Sequence, residues 1–201
     1  MYKVISIITK YRDFMIKIYD SHISEKVCDD LINVYNRNGL EKMSDVTLKV
    51  VGQLTKPFND PDWLNLLEIL KSDTLPLIED YLSSHSNLLS KDMYSFSHAG
   101  FTLKKEGDCV PYHFDAEVTS VGGIFKVSHF AVIIYLNSDY EGGDLVFPHQ
   151  RKTIIPKKGT VAIFPTSYLY PHLITPVIKG SRYDIRLTYY NNRIDLKNFT
   201  Q

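Results

Sequence analysis

From Tyr94 onward the chain breaks into short runs rich in Val, Ile, Phe and Tyr, separated by clusters of Gly, Pro, Asn and Asp. The runs span 94–103, 110–115, 129–137, 144–147, 152–155, 160–164, 170–177 and 182–190. Segments this short cannot bury an apolar face alone. In series, with turn residues between them, they predict an all-β sandwich or barrel. Residues before 94 read as helix. Ser24 is a suitable N-cap, and Val27, Cys28, Leu31, Ile32 and Tyr35 recur at helical spacing until Asn38-Gly39 stops the pattern. A second helix is expected from Pro61-Asp62 with Trp63, Leu66, Leu67 and Leu70 on its apolar face. A third is expected after Asp73-Thr74, with Pro76 in its first turn and Leu77, Ile78, Tyr81 and Leu82 behind it. With no repeat or linker to divide it, the chain reads as a single domain over 1–201: helical support over 1–93, a β core over 94–191 and a tail over 192–201.

Composition narrows the class. The 201 residues are 44% apolar and 12% aromatic, enough for a packed interior. Lys plus Arg equals Asp plus Glu at 23 each, so no overall field draws the protein to nucleic acid or an anionic membrane. Cys28 and Cys109 form neither a disulfide framework nor a metal-type C-x-x-C spacing. The apolar run at 4–8 is too short for a secretory leader, and the sequence contains no apolar stretch of the ~20 residues a membrane helix needs. A soluble, cytoplasmic protein is expected.

Within the β half, His113-Phe114-Asp115 places a histidine and a carboxylate on one face of a strand, about 7 Å apart along the chain. Two such groups chelate one ion if a third ligand comes from another strand. His172, between Pro171 and an apolar segment, is the best third. Two histidines and one carboxylate leave half of a metal's coordination sphere open, which suits non-haem Fe(II) oxygen chemistry. Ten residues past His172 stands Arg182. An arginine aimed into a barrel needs an anion. The guanidinium fork matches a carboxylate of a dianionic cosubstrate, while an internal salt bridge to Asp184 or Glu141 is the ordinary alternative.

From about Phe101 to Tyr190 the ordered set of motifs resembles the Fe(II)/2-oxoglutarate-dependent dioxygenases, specifically their prolyl 4-hydroxylase-like branch. The pieces are Gly107 followed by His113-Phe114-Asp115; Tyr135-Leu136-Asn137; Glu141-Gly142-Gly143-Asp144-Leu145-Val146-Phe147-Pro148; Pro156-Lys157-Lys158-Gly159; Ala162-Ile163-Phe164-Pro165; and His172 with Pro176-Val177, Gly180 and Arg182-Tyr183. The resemblance implies a double-stranded β-helix, a cupin-like jelly roll, buttressed by the N-terminal helices. It implies Fe(2+) held by His113, Asp115 and His172, and 2-oxoglutarate held by Arg182 with Tyr135. O2 is then the second cosubstrate, with ascorbate (vitamin C) in a supporting role. The implied reaction hydroxylates a C–H bond and releases succinate and CO2. Gly142 and Gly143 are expected to make a tight turn at positive φ.

This sequence departs from the branch at three places. Leu103 and Lys104 stand where relatives often carry a tyrosine, Leu145 where many prolyl hydroxylases carry threonine, and Arg186 where some carry a small hydroxyl. Cosubstrate contacts are therefore expected to rearrange around Tyr135 and Thr188, with Arg186 turned towards substrate. His129 shares its face with Ala131, Ile133 and Tyr135 and is a secondary candidate to line the cavity. The segment 117–127 is expected to form a flap over the site. By analogy the substrate is a peptidyl proline, with a free amino acid or other small molecule as the rival. No nucleic acid or membrane partner is expected. Two further classes remain open: a cupin-like metal hydrolase or isomerase that makes no use of 2-oxoglutarate, and a binding module without catalysis.

Overall fold

The computed structural model describes residues 15–38, 60–85, 91–121 and 124–191. The apolar run at 4–8, Gly39, Gly122, Gly123 and the expected tail at 192–201 lie outside the described residues. In chain order the elements are β1 (Lys17–Tyr19), α1 (Glu25–Asn38), α2 (Pro61–His85), a 3-10 turn at Lys91–Met93, β2 (Tyr94–Lys105), β3 (Val110–His113), β4 (Val118–Val121), β5 (Ile124–Tyr135), β6 (Glu141–Gly142), β7 (Leu145–Phe147), β8 (Lys152–Ile154), β9 (Val161–Pro165), β10 (His172–Ile174), β11 (Val177–Lys179) and β12 (Ser181–Asn191).

Local chemistry explains both helix starts. The Ser24 hydroxyl accepts from the Val27 amide at 3.3 Å. At α2 the Asp60 carboxylate accepts from the Asp62 amide at 2.9 Å, and Arg37 ties the two aspartates together from the end of α1. The two helices expected at 61–70 and 74–82 are one continuous helix. Pro76 lies inside it, and the sequence around it buries Leu70, Thr74, Leu77, Ile78 and Tyr81 on a single side. The Thr74 hydroxyl turns back to the Leu70 carbonyl at 2.7 Å, so this buried polar group is satisfied within the helix. Among the described residues, no helix is long and apolar enough to cross a membrane.

The strands form a six-stranded antiparallel sheet in the order β1-β9-β5-β12-β2, with β4 paired to β5, and a four-stranded sheet in the order β3-β10-β7-β8. The short strands β11 and β6 form a separate antiparallel pair. Strand alternation divides the larger sheet into two faces. Val132, Ile134, Ile163, Ile185 and Leu187 pack against α1 and α2 in one core. Ala131, Ile133, Tyr135, Ala162 and Phe164 face Leu145, Phe147, Ile154 and Ile174 of the smaller sheet in a second core. Two antiparallel sheets packed face to face, with helices against the outside of one, make the jelly roll that the motifs implied.

Three strand limits differ from expectation. The 110–115 run ends as strand at His113, so Asp115 lies just past the edge strand. The 170–177 run is two strands, because Pro176 has no N–H for the ladder, while its carbonyl accepts from the Gly143 amide at 3.0 Å. Within 117–127, Val118–Val121 of β4 pair with Ile124–Val127 at the start of β5, so that strand extends beyond the 129–137 expected.

Candidate metal centre and anion pocket

His113 and His172 are direct cross-strand partners on β3 and β10, which brings their rings to 4.4 Å between centroids. Asp115 folds back beyond the strand end. One of its carboxylate oxygens lies 3.3 Å from His113 Nε2 and the other 3.6 Å from His172 Nε2. The candidate ligand atoms all lie within 4.8 Å of one another. Each ring is oriented by the same device. His113 Nδ1 donates to the Pro111 carbonyl at 2.8 Å, and His172 Nδ1 donates to the Tyr170 carbonyl at 3.2 Å. A carbonyl only accepts, so both Nδ1 atoms carry the proton and both Nε2 lone pairs face the carboxylate. Phe147 and Phe164 wall in the His172 ring at 5.2 and 4.9 Å.

The electrostatics follow from burial and these contacts. Burial lowers the His172 pKa. Burial acts in the same sense on His113, but the Asp115 hydrogen bond and charge outweigh it and raise its pKa. Burial would raise the Asp115 pKa, yet Arg186 and the two histidines hold the carboxyl far below its usual range. Arg186 is therefore placed otherwise than expected. Its Nη2 donates to the Asp115 backbone carbonyl at 3.3 Å, and its Nη1 meets Glu117 at 2.7 Å, where the Tyr190 hydroxyl also donates at 2.9 Å. It braces the turn that carries Asp115.

Deeper in the barrel, on the same face of β12, Arg182 is fully buried. Its Nε donates to Asp184 at 2.9 Å and its Nη1 to the Gly143 carbonyl, while the Tyr135 ring lies beneath the guanidinium at 4.8 Å. The salt bridge to Asp184 is thus present. Glu141 instead meets Lys179 at the surface, at 3.7 Å. The guanidinium is not exhausted by these bonds: Arg182 Nη2, Tyr135 Oη and Tyr140 Oη are all buried without a hydrogen-bond partner. Burial pushes the Tyr140 phenol up to about 12 and Tyr135 higher still, so both are protonated at neutral pH and available as donors. Buried donors are ordinarily paired, so these three without partners are suited to an anion with several acceptor oxygens. Gly142 and Gly143 take φ values of 73° and 64°, as their turn requires.

Not every residue read from the sequence converges here. His129 is exposed and meets the Tyr94 hydroxyl at 3.1 Å. Thr188 is buried on β12 opposite Ala131, six residues along the strand from Arg182. Tyr140 and the Lys104–Asp184 pair were not anticipated. Tyr140 sits in a polar connection with no periodicity to mark its direction. The pair depends on the β2–β12 register, which sets Lys104 opposite Arg182 and has no local sequence signal.

Residues 99–190 match the model of the 2OG-Fe(II) oxygenase superfamily. No curated protein matches the sequence. Among solved structures, the fold is similar to the viral collagen prolyl hydroxylase of Paramecium bursaria Chlorella virus-1 in its 2-oxoglutarate complex, at 19% identity and TM-score 0.65, covering 89% of this chain and 97% of that one. It is also similar to a Pseudomonas putida prolyl-4-hydroxylase, at 16% identity and TM-score 0.62, with 89% and 93% covered. A Trichoplax adhaerens prolyl hydroxylase, solved with a peptide fragment of the hypoxia inducible factor oxygen degradation domain, matches at 15% identity and TM-score 0.62, with 95% and 94% covered. The match lies on the β half of the chain, the part that carries the His–Asp–His cluster and Arg182. The chemistry of that superfamily is oxidative and uses Fe(2+), 2-oxoglutarate and O2, and the prolyl hydroxylases named above share this chain's fold.

Proposed function

We propose that this protein is a hydroxylase of peptidyl proline in which His113, Asp115 and His172 hold Fe(2+) and Arg182, Tyr135 and Tyr140 receive the far carboxylate of 2-oxoglutarate. The observation that carries the reading is the pairing of the His–Asp–His cluster with a buried pocket whose Arg182 Nη2 and two phenols lack partners. Hydrolase-like cupin chemistry requires the cluster but gives no reason for that pocket. When bound, iron with 2-oxoglutarate and O2 supplies an oxidant strong enough to replace C–H by C–OH, one oxygen atom going to the product and the other to succinate as CO2 leaves.

The chain's own residues do the rest. The carbonyls of Pro111 and Tyr170 fix both imidazoles with Nε2 towards the metal position. Arg186 holds the Asp115 turn. Phe147 and Phe164 keep water from the His172 side. A peptide is favoured as substrate by the chain next to the ligands: Tyr112 and Phe114 flank His113, Tyr168 and Leu169 precede His172, and all four are at least half exposed. An extended apolar rim suits a polypeptide better than a free amino acid. The names of the similar solved structures, collagen prolyl hydroxylase among them, support proline within that peptide.

The test is an anaerobic titration of 2-oxoglutarate with Mn(2+) in place of iron, followed by aerobic assays of succinate release with proline-containing peptides and with free amino acids. Metal-dependent 2-oxoglutarate binding that is lost in His172→Ala and Arg182→Ala supports the site. Succinate release coupled to peptide hydroxylation supports the substrate. Metal binding without 2-oxoglutarate binding overturns the reading in favour of a hydrolase-like cupin.

A further inference from the structure

Lys104 is a buried cation beside Arg182. It lies on β2 directly opposite Arg182 on β12, and both side chains are almost wholly buried. Its Nζ meets Asp184 at 3.0 Å and donates to the Thr102 hydroxyl at 2.8 Å. The other Asp184 oxygen accepts from Thr102 at 2.5 Å. Asp184 is thus shared by two cations, since Lys104 Nζ and Arg182 Nε both meet its Oδ2. Without Lys104, the Arg182–Asp184 pair would be neutral and the pocket beside it would have little to offer an anion. With Lys104 the group of three carries one positive charge, which nothing buried in the triad itself balances. Three further carboxylates lie outside the triad: Asp108, which accepts from the Lys105 backbone, and Asp139 and Asp144, which act on Tyr140.

We propose that Lys104 sets the specificity of the Arg182 pocket without touching its ligand: by cancelling Asp184 it leaves a single uncompensated positive charge, so that the pocket selects a carboxylate end over an uncharged one. Asp184 is then a positioning residue. It ties off Nε while the Gly143 carbonyl ties off Nη1, which leaves Nη2, like the Tyr135 and Tyr140 hydroxyls, without a partner. Burial lowers the Lys104 pKa and Asp184 opposes that; burial would raise the Asp184 pKa, but Lys104 and Arg182 hold it below its usual range, as expected for a carboxylate between two cations.

The inference rests on the anion pocket being the 2-oxoglutarate site, and the experiment separates the two. The affinities of wild type, Lys104→Met, Asp184→Asn and the double variant are measured by calorimetry with Mn(2+), for 2-oxoglutarate and for its analogue with the far carboxylate replaced by an amide. Circular dichroism and retained Mn(2+) binding certify folding. Lys104→Met is expected to weaken 2-oxoglutarate about tenfold or more and to erase most of the preference for acid over amide. The double variant, which again carries one net positive charge, is expected to recover the preference even if Asp184→Asn alone does not fold. Wild-type affinity and preference in Lys104→Met overturn the inference while leaving the site assignment standing. If wild type itself binds Mn(2+) but neither compound, the site assignment falls and this inference with it.

Discussion

At Gly143 the backbone turns at φ 64° and presents its carbonyl to Arg182, and a Cβ there would meet Arg182 Cδ and the Tyr140 ring at 3.3 Å. Gly143→Ala is expected to cost about 1–3 kcal/mol from the left-handed backbone alone, and also to displace the guanidinium, weakening 2-oxoglutarate binding. Gly142→Ala is the harsher change, because its Cβ would fall 2.3 Å from the Pro176 carbonyl; urea unfolding midpoints rank the two. Asp184 makes a prediction in pH. Its folded pKa is lowered, so its contribution to stability is complete above the ordinary carboxylate pKa of about 4 and is lost as pH falls through the folded value. The Lys104→Met/Asp184→Asn variant is expected to show a flatter loss of stability below about pH 4 than wild type, measured by denaturant titration across that range. The contrast between these residues shows what the sequence reveals at this scale. His113, Asp115, His172 and Arg182 are legible because their spacing is local or fixed by family order. Lys104 is not, because its partners Thr102 and Asp184 meet it only after β2 pairs with β12.

Among the elements, α2 shows tertiary packing overriding a local stop signal. Pro76 removes one N–H from the helix, and Ser72, whose carbonyl loses that partner, is exposed to water. The helix continues because Leu70, Leu77, Ile78 and Tyr81 are all buried along one side of it. Pro76→Ala is therefore expected to raise stability, by about 1–2 kcal/mol after allowing for the greater freedom of the unfolded chain, read as a higher urea midpoint. The β half was legible as a series of strands because turn residues punctuate it. Strand ends were less so: β3 stops at His113 and β10 separates from β11 at Pro176, where hydrogen-bond geometry decides and apolar character continues. The pairing of β4 with β5 was hidden for a related reason, since Thr119, Ser120 and Lys126 interrupt any apolar alternation there.

For the molecule as a whole, β5 and β12 act as a common wall, one face meeting the helices and the other the site. Leu187 belongs to the first face and its neighbours Arg186 and Thr188 to the second. Leu187→Ala is expected to cost about 2–5 kcal/mol of stability. Its effect on the affinity of folded protein for Mn(2+) or 2-oxoglutarate should be small, so a combined melting and titration experiment separates the two faces. Ligands act in the opposite direction: Mn(2+) at 100 times its dissociation constant is expected to add about 2.7 kcal/mol, removable by chelator. Where that energy goes follows from the strand order of the smaller sheet. β3 is its outermost strand, only four residues long and interrupted by Pro111, and β10 is its inner neighbour. An ion gripped by His113 and His172 joins this short border strand to the sheet by side chains as well as by backbone. Metal capture thereby becomes a latch on the border: amide exchange at Tyr112 and His113 should slow when Mn(2+) is added and quicken on chelation well before the helical core loosens, so that the loaded and empty proteins differ first in how firmly one edge is shut.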